Sequence, residues 1–347
     1  MTSKAEAAGI KALDRAGLAD LVAELGQPRF RAGQLERWLY GRSARSFADM
    51  TDLPAGLRET LAGRLALPWP EIVERQQSSD GTRKYLVRLG DGITVEVVGL
   101  PAGDRLTVCF STQAGCAMGC AFCATGEGGL VRNLGPGEMV DQIALVAQDF
   151  GRRVTNAVAM GQGEPFANYD AVLGALRFMN APDTVEIGAR HLTVSTCGLV
   201  TGIRRFAREP EQFTLAVSLH SAVQATRDRL MPGVRNVTLP ELRKSLVDYA
   251  TVSGRRPSLE FALISGINDT EAERSALVKF CRGLLVHVNL IPINPVAETG
   301  FARSPADRIE SFQRVLHAAG IEVSIRVERG TDIDAACGQL RQRSSAS

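Results

Sequence analysis

No stretch of this chain approaches the roughly 18–20 consecutive apolar residues that a bilayer-spanning helix needs. The N-terminal MTSKAEAAGIKALDRAG has no basic start followed by an apolar core, so neither a membrane span nor a secretory signal is expected. Net charge is nearly absent: 40 Lys and Arg stand against 38 Asp and Glu, a formal +2. That excludes a polybasic chain held to its partners by bulk charge, though not a local basic patch. Short-period repeats and low-complexity tracts are also missing, which excludes a solenoid or a linker-like chain. No histidine lies near the main group of cysteines. What remains is an ordinary globular composition, 45% hydrophobic and 22% charged, in 347 residues. That length suits one large domain and a small accessory one. A cytoplasmic, reducing setting is expected, in which clustered cysteines point to metal binding or catalysis before structural disulfides.

Residues 12–66 read as helices, because LDRAGLADLVAEL, AGQLERWLYGR and DLPAGLRETLAGRL place apolar residues at helical spacing. From about residue 70 the period shortens, and EIVERQQ, RKYLVRL and ITVEVVGL read as strands parted by SSDGT and GDG turns. Beyond residue 100, seven strand-like runs (RLTVCF, NAVAMG, HLTVST, TLAVSL, SLEFAL, VHVNLI and EVSIRV) alternate with amphipathic helical stretches. Thr238 with Glu241 reads as a capping box, and Ser304-Pro305 as a cap followed by proline at the first helical position. This alternation predicts an α/β fold of parallel βα units closed fully or partly into a barrel. In such barrels chemistry sits at the C-terminal strand ends. The polar groups fall there: the cysteines after LTVCF, GQGEP after NAVAM, STCG after HLTV, SLH after TLAV and INP after VNLI.

CFSTQAGCAMGCAFCATG, residues 109–126, holds four of the seven cysteines. Cys116, Cys120 and Cys123 have the spacing C-x3-C-x2-C. A closed zinc site wants four ligands, usually in two C-x2-C knuckles, and would have to recruit Cys109 from inside a strand. An unligated, purely structural group is the second reading. The third is a [4Fe–4S] cluster on three cysteines, which leaves one iron open where the usual cluster has four thiolates.

C-x3-C-x2-C after the first strand of a partial βα barrel, with an aromatic residue (Phe122) before the third cysteine, resembles the radical S-adenosylmethionine (SAM) superfamily. CFSTQAGCAMGCAFCATG, GLVRNL, GQGEPFAN, HLTVSTCG, SLHSA, RLMP, INPV and GTDIDAACGQL follow in that order. Together they resemble the RlmN type of the RlmN/Cfr family, bacterial enzymes that methylate C2 of adenine in 23S ribosomal RNA and transfer RNA. The likeness runs over nearly the whole chain. It implies a partial TIM-like radical SAM barrel at 102–335, behind an N-terminal helical RNA-contacting domain at 1–68. A β extension at 69–101 would carry Glu96, and a C-terminal segment at 336–347 would carry Cys337 and a frayed tail.

The resemblance also implies roles. Cys116, Cys120 and Cys123 would hold one [4Fe–4S] cluster, whose open iron binds SAM. Gly163, Glu164, Ser195, Ser218, Leu219, His220 and Asn294 match the family's SAM contacts. Cys337 matches the cysteine that carries the methyl group, Cys109 the resolving cysteine that forms a transient disulfide with it, and Glu96 the proton acceptor. Two SAM molecules would be used per turnover. The implied partners are 23S rRNA and tRNA, with an electron donor such as flavodoxin; no membrane partner is expected, and the chain reads as a monomer. The relative with C8 specificity is the alternative enzyme, and a metal-stabilised, non-catalytic RNA-binding protein is the alternative of another class.

Gln162 stands where the family usually has Met, and Cys197 gives STCG in place of STSG or STIG. Cys197 and Cys281 match no role and read as buried hydrophobes. The arginine-rich runs PRFRAGQLERWLYGRSAR (Arg29, Arg31, Arg37, Arg42, Arg45) and GIRRFARE (Arg204, Arg205, Arg208) are either RNA contacts or solvated helix faces.

Overall fold

The computed structural model describes residues 9–294, 300–326, 329–335 and 338–340. Three helices come first: α1 (Arg15–Glu24), α2 (Phe30–Glu36), prolonged by a π turn over Arg37–Gly41, and α3 (Ala55–Arg64). Asp14 caps α1 by accepting from the Gly17 N–H at 2.8 Å. The apolar positions Leu18, Val22, Leu35, Leu39, Leu57 and Leu61 are all buried, so the helical spacing read from the sequence is the packing face.

The strands β1 (Glu71–Gln77), β2 (Arg83–Arg88), β3 (Thr94–Ala102) and β4 (Arg105–Cys109) form an antiparallel meander. From β4 the sheet turns parallel. It continues through β7 (Asn156–Ala159), β8 (Leu192–Thr196), β9 (Thr214–Ser218), β10 (Ser258–Leu263), β11 (His287–Pro292) and β12 (Glu322–Ile325). The ten strands lie in the order β1-β2-β3-β4-β7-β8-β9-β10-β11-β12. The seven alternating runs are the seven parallel strands, making a partial barrel with the meander at one edge. β10 is buried along most of its length, as expected of a strand covered on both faces.

Between the strands run α4 (Pro136–Phe150), α5 (Tyr169–Asn180), α6 (Val200–Phe206), α7 (Gln224–Leu230), α8 (Leu239–Ser253), α9 (Glu271–Cys281) and α10 (Ala306–Ala318). Start signals explain several of them. α4 opens with Pro136, and Glu138 accepts from the Gly135 N–H at 2.8 Å. Thr238 and Glu241 cap α8 reciprocally. The Ser304 cap is corrected: α10 starts at Ala306, Pro305 takes an extended ψ of 150°, and Ser304 makes no cap bond. The ring permits that extended conformation, so the helix begins one residue later. The strands β5 (Gln113–Gly115) and β6 (Leu130–Asn133) had no signal in the sequence; they pair apart from the main sheet. Cys281 is 1% exposed within the core, as read.

Candidate active site

β5 and β6 close the base of the loop that carries Cys116, Cys120 and Cys123. Backbone bonds shape this loop: Cys116 N–H to Gly129 at 2.9 Å, Ala121 N–H to Leu230 at 2.9 Å, and Gly233 N–H to Met118 at 3.0 Å. From the chain's end, the Gly338 carbonyl accepts from Ala124 N–H at 2.8 Å, and the Leu340 carbonyl from Thr125 Oγ1 at 2.6 Å. Arg132, in GLVRNL, clamps β6 to α4 through two 2.8 Å bonds to Glu138 and reaches Asp91 at 2.7 Å. Such bidentate pairs fix orientation as well as charge.

The three thiols line one cavity of about 170 Å³. Its wall is completed by strand ends: Gly163 and Glu164 after β7, Ser195 on β8, Ser218 on β9, His220 just beyond it, Glu260 on β10 and Asn294 after β11. Burial pushes the Cys116 thiol up to about 11 and Cys120 further, each also repelled by the charge of Cys123. Thiols so placed stay protonated until a cation meets them, and bound metal deprotonates them outright. Among the described residues no group of three Cys, His, Asp or Glu side chains gathers tightly enough for a single metal ion. Cys109 does not join them. Three spaced thiols round one cavity fit a [4Fe–4S] cluster, which Cys116, Cys120 and Cys123 would hold.

Glu164 lies fully inside the wall. Its carboxylate accepts from the Cys197 N–H at 2.7 Å and the Phe166 N–H at 2.9 Å, and burial nonetheless holds its pKa above the ordinary value. An ammonium group in the cavity would lower it again. Gly163 has φ +102°, and a Cβ there would come within 2.6 Å of Gln113. His220 has φ +53°. Its Nδ1 accepts from the Ala262 N–H at 2.9 Å, so the neutral ring carries its proton on Nε2. Burial, aided by Arg227, drives its pKa down to about 3. Phe122 meets this ring edge-on at 4.7 Å, joining the cysteine loop to the end of β9.

Not every expected residue reaches the cavity. Leu219 is fully buried in the core, its N–H bonded to Glu260 O at 2.9 Å; it supports the turn between Ser218 and His220. Glu96 on β3 is 2% exposed and does not line this cavity; it lies beside Glu74, Gln76, Lys84 and Leu86, on the face of β3 that Val98 turns toward Cys109. Cys109, at the end of β4, faces an adjoining cavity of about 490 Å³. That space shares Cys123, Met160, Gly161, Asn294 and Arg326 with the first. Cys109 packs with Val98, Ala335 and Leu340. Cys337 lies outside the described residues. Gln162 is buried, and its Oε1 accepts from the Glu96 N–H at 3.4 Å, so this departure from the family pattern touches Glu96 as well as the cavity wall. Cys197 is buried as read, but at the wall.

Glu260, Arg227 and Lys84 were missed. Glu260 had a signal, a charged residue in the middle of an apolar parallel strand. Arg227 on α7 is fully buried and donates to the Cys197 carbonyl at 2.7 Å. It fits beside Gly198, where a Cβ would lie 2.9 Å from its Nη2. Arg205 pairs with Asp170 on α5, and Arg204 with Asp248 on α8 at 3.9 Å, so these two arginines of the run face neighbouring helices.

Residues 9–67 match the family model of the ribosomal RNA large subunit methyltransferase N-terminal domain, and residues 110–281 that of the radical SAM superfamily. A probable dual-specificity RNA methyltransferase RlmN from Pelotomaculum thermopropionicum is 47% identical, over 96% of this chain and 91% of the relative. One from Symbiobacterium thermophilum is 47% identical, over 94% and 89%. A crystal structure of a radical SAM methyltransferase from Sphaerobacter thermophilus is 45% identical and superposes with TM-score 0.89, covering 96% of this chain and 99% of the other. A chain with this barrel, this thiol-lined cavity and this likeness along nearly all its length belongs to the RlmN family of radical SAM RNA methyltransferases.

Proposed function

We propose that this enzyme forms 2-methyladenosine in 23S rRNA, at the peptidyl-transferase-centre adenosine, and in tRNA, at the adenosine 3′ of the anticodon. In this reading the methyl carbon travels on Cys337 and Cys109 releases the product. The observation that carries it is the packing of Ala335 and Leu340, on either side of position 337, against Cys109 at a cavity that borders the cysteine loop. Carrying and resolving require two thiols within reach of each other, and Cys109 packs against residues on either side of position 337.

C2 of adenine lies between two ring nitrogens and is electron-poor, so it does not attack an electrophilic methyl group. Cys116, Cys120 and Cys123 hold the cluster, and Gly163, Glu164, Ser195, Ser218, His220 and Asn294 hold SAM, with Leu219 supporting from the core. Bound there, cluster and SAM supply a carbon radical able to abstract hydrogen from a methyl group. In this reading one bound SAM would be the source of the methyl group on Cys337 and a second the source of that radical. The flipped adenine enters the outer cavity and its C2 joins the carbon on Cys337; the adduct gives up one electron, for which the bound cluster would be the acceptor, and Glu96 takes the C2 proton. The Cys109 thiolate then attacks Cys337 sulfur; a disulfide forms as the carbon–sulfur bond breaks, and the electron pair left on the carbon takes back the proton held by Glu96, completing the methyl group.

The segments divide this work: 1–68 contacts RNA, 69–101 presents Glu96, 102–335 holds cluster and SAM, and 336–347 presents Cys337. The working unit is a cytoplasmic monomer reduced by a donor such as flavodoxin. Phe30 is 61% exposed, with Arg29 and Arg42 exposed on the same helical domain and Arg42 over the Trp38 ring at 4.4 Å. An exposed ring beside arginines suits stacking on unpaired bases. Nucleoside mass spectrometry tests the reading, in a bacterium lacking its own C2 enzyme. 2-Methyladenosine is expected in both RNA fractions, and Cys337→Ala should abolish it. 8-Methyladenosine would mean the alternative specificity, and neither product from a cluster-loaded protein would overturn the RNA assignment.

A further inference from the structure

Lys84 sits in the interior of β2 with its side chain 5% exposed, and Glu96, on β3, is 2% exposed. Lys84 pairs in register with Val98 and Leu86 with Glu96, so Lys84 and Glu96 are diagonal neighbours on one face of the meander. Lys84 Nζ is 3.7 Å from Glu96 Oε1. It also donates to the backbone carbonyl of Asp334, at 3.2 Å. Asp334 lies three residues before Cys337. The same hairpin grips that segment twice more: Asp332 accepts from the Ser79 N–H at 3.2 Å, and Asp80 from the Gly330 N–H at 3.2 Å.

A buried ion pair is an expensive way to hold a sheet together, because apolar side chains of similar volume do so without the desolvation cost. The Glu96 backbone is held by other groups, its carbonyl accepting from Ser111 Oγ at 2.7 Å and its N–H donating to Gln162. Lys84 acts on the carboxylate itself, and it joins that carboxylate to the segment leading to Cys337. We infer that Lys84 is a positioning residue for the methyl transfer, holding the Glu96 carboxylate oriented in register with the chain that carries Cys337. This rests on the reading of Glu96 as proton acceptor.

The test uses the full-length enzyme reconstituted anaerobically with iron and sulfide, with SAM, dithionite and a tRNA transcript. Three products are measured: S-methylation of Cys337 by peptide mass spectrometry, methylated adenosine, and covalent RNA–protein adduct on denaturing gels. Lys84→Met should leave Cys337 methylation at the parental level. It should lower methyladenosine by about 100-fold, the lower end of a general base's contribution, and let adduct build up as in Glu96→Gln. Lys84→Arg should restore most of the product. The double variant Lys84→Met with Glu96→Gln should be no slower than Glu96→Gln alone, since both changes act through one group. Parental product formation in Lys84→Met overturns the inference, as does loss of Cys337 methylation in a folded variant or additive losses in the double variant. Should Lys84→Met fail to fold, Lys84→Arg and the uncharged double variant decide. Parental product formation in Glu96→Gln overturns the proton-acceptor reading itself; an inactive Glu96→Gln beside an unimpaired Lys84→Met removes the Lys84 role alone.

Discussion

Gly163 combines a left-handed φ of +102° with a Cβ position 2.6 Å from Gln113 and 2.8 Å from its backbone nitrogen. Gly163→Ala therefore forces β7's end away from β5, and SAM affinity measured by calorimetry on the reconstituted protein should fall by roughly 10-fold or more, the scale of a misfit costing 1–3 kcal/mol. His220 gives a pH test. An unfolded histidine titrates near 6.5, and His220 in the fold near 3. Between those values the unfolded chain binds a proton that the folded chain refuses. His220's contribution to stability is therefore full above about pH 6.5 and declines as pH falls toward 3. Urea melts at pH 7 and 5 should show that loss, and His220→Asn should flatten it. Gly163, Glu164 and His220 were legible because each follows a strand-like run at a polar break. Lys84, Arg227 and Glu260 were not, because their meaning lies in a partner on another element: Lys84 looks like any charged residue in an alternating strand until β3 lies beside it.

At the scale of elements, the parallel strands were the most readable part, since seven apolar runs between amphipathic stretches leave few topologies. β5 and β6 were not readable, being three and four residues long with no alternation to mark them. The way the N-terminal helices meet the barrel was equally hidden. There Lys11 Nζ binds both carboxylate oxygens of Asp141 on α4, at 2.6 and 2.8 Å, with side chains 1% and 4% exposed. Lys11→Ala strands a buried carboxylate and should cost about 3–5 kcal/mol in thermal unfolding, whereas Lys11→Met with Asp141→Leu should regain most of that. A double variant no more stable than Lys11→Ala would show that the pair is not what holds these elements together.

For the whole molecule, near-zero net charge leaves RNA binding to a local surface. Arg31 is a poor probe of it, since its guanidinium is spent on Gln34 at 2.6 Å and the Asp52 carbonyl at 3.1 Å. Arg29 and Arg42 are exposed. Arg29→Glu with Arg42→Glu should weaken tRNA binding and flatten its dependence on log salt by about 0.7–0.9 per lost phosphate contact. Unchanged affinity would move the RNA surface elsewhere on the protein.

The bond from Thr125 to Leu340 spans 215 positions of sequence. A chain leaving the ribosome from its N-terminus completes the cysteine loop long before residues 338–340 exist to grip it. Iron and sulfide delivery therefore has an interval during synthesis in which the loop is formed but not yet fastened from behind. The order of residues along the chain sets a timetable, with metallation able to come first and the fastening contacts of residues 338–340 last.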